Sequence, residues 1–412
     1  MYIKKRQTPD NLAGGEAMAE QKVSMTTELA VLFSVSAGLA VGNLYWAQPL
    51  LSVIAADFGI PASQGGFLVT ATQIGYALGI LLIVPLGDIM ERRKLLSGIM
   101  LLTVIALTLC AGAPSFMLLS LALGFLGVVT VSGQIILPLS GDLAADEMRG
   151  HVVGIVSSGI TTGILFSRLI SGLVAEIWGW RGIYLMAAVL NLSMTAILLY
   201  RLPRVPAKTK LGYRQLLMGV FASVKRYPVM RGILIKQGMI FGIAFNLFWT
   251  AMTFLLSDAP FHYSTFQIGL VSLAGLTGAI AGAKLGALQD KGLGRKGLTV
   301  FICMVFFSMV LASVASVTIL PILIIAAIFS LAIQGVGVLC QAQLFSLSDT
   351  ERSRLNTAFV VSNFLFCALG SSLAGFLWEM GGWSSVALGA AGASLAALIV
   401  HLCEGKLGAS IR

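Results

Sequence analysis

The residue whose chemistry stands out in this sequence is Arg168, because it lies inside a long apolar run. Only eight residues separate it from Glu176, which closes the same run. An arginine at membrane depth costs several kcal/mol unless it faces water or a partner. We therefore predict that Arg168 faces a polar cavity and contacts a solute there. The alternative is an arginine bonded to helix-end carbonyls or to Glu176. Three further polar side chains fall on the same helical stripe: Ser157, Thr161 and Ser171.

The acidic residues provide a useful contrast, since none of the 17 occupies the middle of an apolar run. A cavity without a carboxylate suits an anionic, zwitterionic or neutral polar solute better than a cation. The three histidines also lie near run ends or in loops, and the five cysteines have no metal-site spacing. No zincin motif, phosphate loop or nucleophile–base set is recognisable. We expect no catalytic residue, no metal and no cofactor, and hence no enzyme.

Amide and aromatic side chains form a second set of candidates. Asn43 and Trp46 in the first apolar run recur as Asn246 and Trp249 in the seventh. A buried asparagine must find hydrogen-bond partners, so these residues either line a cavity or join neighbouring helices. Pro49 removes one backbone hydrogen bond and predicts a bend beside them. The candidate cavity residues are Arg168, Asn43, Tyr45, Trp46, Gln48, Gln134, Asn246, Trp249 and Gln341.

The composition requires a membrane environment for the elements that carry these residues. Of 412 residues, 57% are hydrophobic and 11% charged, whereas soluble domains carry about 25% charged residues. Twelve apolar runs are each long enough to cross a bilayer, which takes about 20 residues. They lie near 28–56, 64–87, 95–113, 115–141, 151–176, 182–200, 232–257, 265–289, 297–316, 319–345, 355–379 and 383–403. We predict an all-α integral membrane protein with twelve transmembrane helices.

The polar stretch 201–231 divides the chain into two similar halves. Asn43 and Asn246, Arg149 and Arg352, and Glu176 and Glu379 are each 203 residues apart. One offset shared by separate helices indicates a parallel repeat, whose halves meet around a central axis. We predict a tail at 1–27, a six-helix half at 28–200, a linker at 201–231, a second half at 232–403 and a tail at 404–412. Basic residues crowd the side that holds the termini and the linker, which predicts that both termini are cytoplasmic.

A short charged segment joins the second and third apolar runs. Asp88 is followed by Arg92, Arg93 and Lys94, and an echo with Asp290 and Arg295 comes about two hundred residues later. With the twelve-helix plan and the basic linker, this segment resembles the major facilitator superfamily, most closely its bacterial drug- and sugar-efflux branch of arabinose-efflux-permease-like proteins. The resemblance implies a gate in which Asp88 braces the region that starts with Arg352, and Asp290 braces the region of Arg149. For Arg92, Arg93 and Lys94, the simpler alternative is that they only fix topology. The candidate gate residues are Asp88, Arg92, Arg93, Asp290, Arg149 and Arg352.

The resemblance also implies a function. We expect a secondary active transporter of the bacterial inner (plasma) membrane that works by alternating access. Proton-coupled efflux of a small polar organic solute, of sugar-, nucleoside- or drug-like type, is the leading expectation. An uptake symporter or uniporter is the alternative within transport, and a membrane sensor is the alternative outside it. The expected partners are the solute, protons as coupling ion and the lipid bilayer, with no nucleic acid and a monomeric chain.

Overall fold

The computed structural model describes residues 25–145, 148–203, 205–207, 209, 211–285, 287–315, 318–348 and 351–409. Within these ranges the chain is helical and contains no β-strand, so the predicted all-α class is confirmed. Asp146 and Asp349 lie outside them, as does the predicted tail up to residue 24. Up to residue 201 the helices are α1 (Thr27–Gly42), α2 (Leu51–Asp57), α3 (Gly66–Leu82), α4 (Leu86–Ile89), α5 (Arg92–Ala111), α6 (Phe116–Val129), α7 (Ser132–Leu143) and α8 (Arg149–Arg201). Beyond it they are α9 (Tyr213–Arg226), α10 (Pro228–Gln237), α11 (Phe245–Ser257), α12 (Thr265–Val271), α13 (Leu276–Leu285), α14 (Ala287–Asp290), α15 (Gly294–Ala312), α16 (Ile319–Phe345) and α17 (Arg352–Ala409).

Eight segments of the described chain are long and apolar enough to cross a membrane. Two of them, at Arg149–Arg201 and Arg352–Glu404, have 53 residues each, well beyond the roughly 20 that one crossing needs. The helix is interrupted in the first at Gly179, where φ is 73°, and in the second at Gly381 and Gly382. Positive φ at Gly179 and Gly382 is a conformation that glycine adopts without steric cost. The count of twelve crossings stays a prediction.

The first apolar run is broken where the sequence predicted only a bend. Helix α1 ends at Gly42, a turn follows, and a short 3-10 segment at Gln48–Leu50 leads into α2. In the second half, a π-helix at Gly238–Ala244 directly precedes α11. Both irregularities lie within a few residues of the repeated asparagines. Discontinuous helices and π-segments are common at membrane binding sites because they turn side chains and backbone groups toward a cavity.

The predicted tail after residue 403 begins inside a helix, because α17 continues to Ala409. Its Glu404 forms an ion pair with Lys236, whose side chain is buried rather than extended toward the membrane surface. The pair therefore ties the end of α17 to α10.

The predicted linker contains an amphipathic helix, α9. Its first residue, Tyr213, donates a hydrogen bond to the Leu82 carbonyl at 2.7 Å. At the other end, Arg226 lies 2.9 Å from a carboxylate oxygen of Glu351. The linker helix thus contacts both halves at one end of the bundle. We call this end the linker face and the opposite end, which carries Glu176 and Glu379, the far face.

The two halves pack tightly at the far face, through contacts that repeat with the sequence. Glu379 accepts a hydrogen bond from the Ser63 hydroxyl at 2.5 Å, and Glu176 accepts one from the Phe266 backbone N–H at 3.0 Å. Ser63 and Phe266 are 203 residues apart, as are the two glutamates. The internal repeat therefore produces two equivalent contacts across the interface.

Two glycines allow the backbones to approach beside these glutamates. A Cβ atom on Gly172 would lie 2.2 Å from the Thr265 carbonyl oxygen, and one on Gly375 would lie 2.2 Å from that of Ser63. Such distances leave no room for any other residue. At the linker face, in contrast, the halves separate around a space of about 500 Å³ that is lined by both halves and by the linker. The bundle is closed at the far face and open at the linker face.

Candidate functional site

Arg168 lies between the two halves and is surrounded by aromatic rings. Its guanidinium carbon is 4.9 Å from the ring centroids of Tyr45 and of Trp249, and 5.7 Å from that of Phe245. Each distance is within the range of a cation–π interaction. Tyr45 comes from the first half, while Phe245 and Trp249 come from α11 in the second. The arginine side chain therefore joins both halves at the centre of the bundle.

The break between α1 and α2 supplies the direct hydrogen-bond partner of Arg168. Its Nε donates to the Gln48 side-chain oxygen at 2.7 Å. The backbone carbonyl of Gln48 accepts a hydrogen bond from the Thr253 hydroxyl of α11 at 2.9 Å. Gln48 is thereby held from the opposite half, and it holds the guanidinium in turn. In a continuous α1 helix this carbonyl would be engaged within the helix.

A cavity of about 100 Å³ adjoins the guanidinium. Arg168 Nη2, Trp249 Nε1 and Ser330 Oγ belong to residues that line it, and each of these atoms is buried without a hydrogen-bond partner in the described chain. None of the described lining residues is acidic. Thr161 and Gln334 add polar groups to the lining, and part of the wall is apolar, with Ile164, Leu165 and Ile333 among its residues. The arrangement suits a small solute that accepts hydrogen bonds at one end.

Four of the predicted cavity residues meet in this place: Arg168, Tyr45, Gln48 and Trp249. Asn43 and Trp46 are not among the residues that line this cavity. They bond to each other instead, since the Trp46 indole N–H donates to the Asn43 side-chain oxygen at 2.8 Å. The amide of Asn43 donates in turn to Thr130 at 2.9 Å. This corresponds to the alternative interpretation, in which the asparagine joins neighbouring helices.

Asn246 belongs to a separate polar network that crosses the interface between α3, α11 and α17. Its side-chain oxygen accepts a hydrogen bond from Gln73 at 2.7 Å, and Ser371 donates to the Gln73 oxygen at 3.0 Å. Ser371 occupies the position that corresponds to Arg168 in the repeat. The two repeat-related positions therefore differ: Ser371 is fully bonded within the protein, whereas Arg168 retains an unpaired donor.

The other two glutamines lie away from the cavity. Gln134 donates to the Tyr76 hydroxyl at 3.2 Å and lines the open space at the linker face. Gln341 is exposed on α16 and is not among the residues around Arg168. Sequence reasoning also missed Phe245 and Ser330. Phe245 lies one helical turn before Trp249, a spacing that could have indicated it, but Ser330 sits in an apolar run with no local signal.

The candidate gate residues lie at the linker face. Arg92 is buried there, with one guanidinium nitrogen 2.7 Å from Asp142 and another 3.4 Å from Asp88. Arg93 donates to the Leu199 carbonyl. In this conformation Asp88 thus has an ion-pair contact within its own half. Arg149 and Arg352 are exposed, and the side chain of Asp290 lies outside the described residues.

Comparison with known proteins agrees with this architecture. The Major Facilitator Superfamily model matches residues 33–349. The uncharacterized transporter YgaY of Escherichia coli O157:H7 is 36% identical over 383 residues, which cover 93% of this chain and 97% of the relative. A probable sugar efflux transporter of Pasteurella multocida is 23% identical over 234 residues, or 56% of this chain and 57% of the relative. The crystal structure of the nucleoside transporter NupG superposes with a TM-score of 0.75 at 14% identity, covering 92% of this chain and 99% of that one. The chain belongs to the major facilitator superfamily.

Proposed function

We propose that this protein is a secondary active transporter that moves a small polar organic solute by alternating access. The observation that carries the proposal is the placement of the Arg168 cavity. Both halves line it, through Tyr45 on one side and Trp249 on the other, and the bundle is closed at the far face and open at the linker face. Rocking of the halves around such a central site would expose it to each side in turn.

For orientation we rely on the positive-inside rule, which places the basic linker face in the cytoplasm of a bacterial inner membrane. We propose twelve crossings, with Gly179 and the Gly381–Gly382 pair as loops at the far face. The conformation with an open linker face then opens to the cytoplasm, where a solute to be exported would enter. We propose export driven by the proton gradient, and the description of the Pasteurella multocida relative as a probable sugar efflux transporter supports this direction.

Transport by the purified protein in liposomes tests this proposal. An imposed pH gradient and a panel of sugars, nucleosides, amino acids, organic acids and drugs should reveal at least one solute that moves faster than in protein-free vesicles. Flux that ignores the pH gradient would refute proton coupling and favour a uniporter. Movement of protons and solute in the same direction would favour an uptake symporter. A panel in which nothing moves would refute transport itself.

We further propose that Asp88 stabilises the state in which the linker face is closed. A carboxylate is favourable at a helix N-terminus, and the start of α17 at Arg352 lies across the open space from Asp88. Asp88→Asn should therefore leave the linker face open for a larger fraction of the time. Ser353, which lines this space, is a suitable reporter after Ser353→Cys, and its thiol should be alkylated several-fold faster in the Asp88→Asn protein.

Glu91→Gln is the matched control, because Glu91 lies in the same segment and forms an ion pair with Lys94, three residues away, at 3.2 Å. It should leave the alkylation rate of the reporter unchanged. If Asp88→Asn and Glu91→Gln behave alike, the segment acts through topology alone.

A further inference from the structure

The cavity beside Arg168 holds more hydrogen-bond donors than the protein satisfies. Arg168 Nη2, Trp249 Nε1 and Ser330 Oγ come from three different helices and have no partner among the described atoms. The amide nitrogen of Gln48, whose side-chain oxygen accepts from Arg168 Nε, also has no partner among the described atoms. Buried polar groups in native proteins are normally bonded, so an unpaired group calls for an explanation. Several unpaired donors around one cavity indicate that an acceptor belongs there.

The positive charge of Arg168 indicates that this acceptor is negatively charged. The Arg168 side chain is only 4% exposed, and its direct side-chain partner, Gln48, is neutral. The three rings around it offer negative faces to the guanidinium but carry no net charge. A buried cation needs an opposite charge far more than it needs a neutral dipole. A neutral solute would satisfy the donors and leave the positive charge uncompensated.

We infer that the transported solute is a compact organic carboxylate. This inference rests on the proposed transport function. One carboxylate oxygen accepts from Arg168 Nη2, and the second from Trp249 Nε1 or Ser330 Oγ. The remainder of the solute lies against the apolar wall that includes Leu165 and Ile333. The cavity of about 100 Å³ favours a compact acid over a bulky one in this conformation.

Binding of matched acids and amides tests the inference. The full-length protein in nanodiscs is titrated with lactate, benzoate and nicotinate, and with lactamide, benzamide and nicotinamide, by isothermal calorimetry. Each pair has nearly the same shape and differs in charge. We expect at least one acid to bind at least about 10-fold more tightly than its amide, since a hydrogen bond to a charged group is worth more than one between neutral groups.

Two conservative variants separate this site from a non-specific effect. Trp249→Phe keeps a ring and removes the N–H, and Ser330→Ala removes the hydroxyl. At least one of them should weaken acid binding several-fold and weaken amide binding by a smaller factor, since a hydrogen bond to a charged oxygen is worth more than one to a neutral oxygen. Ser330→Thr, which retains a hydroxyl, should restore any loss seen in Ser330→Ala.

Equal binding of acids and amides would overturn the inference, and so would the absence of binding by any acid of the panel. Acid binding that is unchanged in both Trp249→Phe and Ser330→Ala would overturn it as well. Inorganic sulfate and phosphate are included in the panel. If either ion binds as tightly as the acid and competes with it, the site recognises inorganic oxyanions and the inferred organic carboxylate is wrong. If the protein in liposomes transports a neutral solute and no acid, the proposed transport function holds and the inferred carboxylate substrate is wrong. If it transports no solute of the panel, both the proposed function and the inferred substrate are refuted.

Discussion

Gly172→Ala and Gly375→Ala, made together, are expected to hold the far face open and to abolish transport. Each new methyl group would lie 2.2 Å from a backbone carbonyl oxygen of the opposite half. Real Cβ atoms do not come so close, and the obstacle is backbone rather than a movable side chain. The halves must therefore separate at this face, which also removes the hydrogen bonds of Glu176 and Glu379. A transporter that cannot close one face cannot complete the cycle.

Alkylation of a buried residue at the interface can measure this opening. Thr250 is fully buried and packs near Gly66 of the other half. After Thr250→Cys, the thiol should be almost inert in the otherwise native protein and at least about 10-fold more reactive when both glycines are replaced. Modification at this position is followed by mass spectrometry of the corresponding peptide, which distinguishes it from the five native cysteines.

The same two helices supply matched controls. Gly154 in α8 and Gly392 in α17 have nothing within 4 Å of an added Cβ, so Gly154→Ala and Gly392→Ala should change neither reactivity nor transport. Equal behaviour of the two pairs would show that close approach at Gly172 and Gly375 is not required. Transport that survives in the Gly172→Ala, Gly375→Ala protein would contradict the closed far face as a step in the cycle.

The internal repeat explains why so much of this interface is visible in the sequence. The offset of 203 residues is enough to identify Glu176 and Glu379 as equivalent positions. Their partners could not be predicted, because a hydrogen bond from Ser63 or from the backbone of Phe266 depends on how two halves dock and leaves no trace in local periodicity. The same limit applies to the ion pair between Lys236 and Glu404, because it joins two helices that are far apart in the sequence.

The part of the candidate site that could be predicted from the sequence is the residue at which the two halves of the internal repeat differ. Arg168 is conspicuous because its counterpart, Ser371, is neutral and because charge inside an apolar run is rare. The aromatic surroundings depend instead on the break after Gly42 and on the π-helix before Phe245. Such irregular backbone arises from tertiary packing, so sequence pattern predicted only a bend at Pro49. Ser330 resembles any small residue of a membrane helix, and only the fold places it beside the guanidinium.

Arg168→Gln is expected to lower the initial rate of transport at least about 25-fold. Removing one member of a buried, charge-assisted pair with the solute costs about 2–5 kcal/mol, and each 1.4 kcal/mol is tenfold. The glutamine is polar and of similar length, so the cavity keeps its shape and loses its charge. The rate is measured in liposomes with whichever solute the panel identifies. Ser371→Ala is the repeat-matched control and should lower the rate by no more than a few-fold, because its hydrogen bonds lie within the protein.

The thermal stability of Arg168→Gln should not fall together with its transport rate, and this result distinguishes a binding role of Arg168 from a structural one. Without solute, Arg168 is a buried cation whose direct partner is neutral, so replacing it removes an unfavourable charge. The melting temperature of Arg168→Gln in detergent should therefore equal or exceed that of the native protein while transport is lost, as is common where a site is maintained at the expense of stability. A binding site predicts loss of the stabilisation that the transported solute gives the native protein. If Arg168 only holds the two halves together, Arg168→Gln should have both a lower melting temperature and slower transport. Equal losses of transport rate in Arg168→Gln and Ser371→Ala would rule out the asymmetric site.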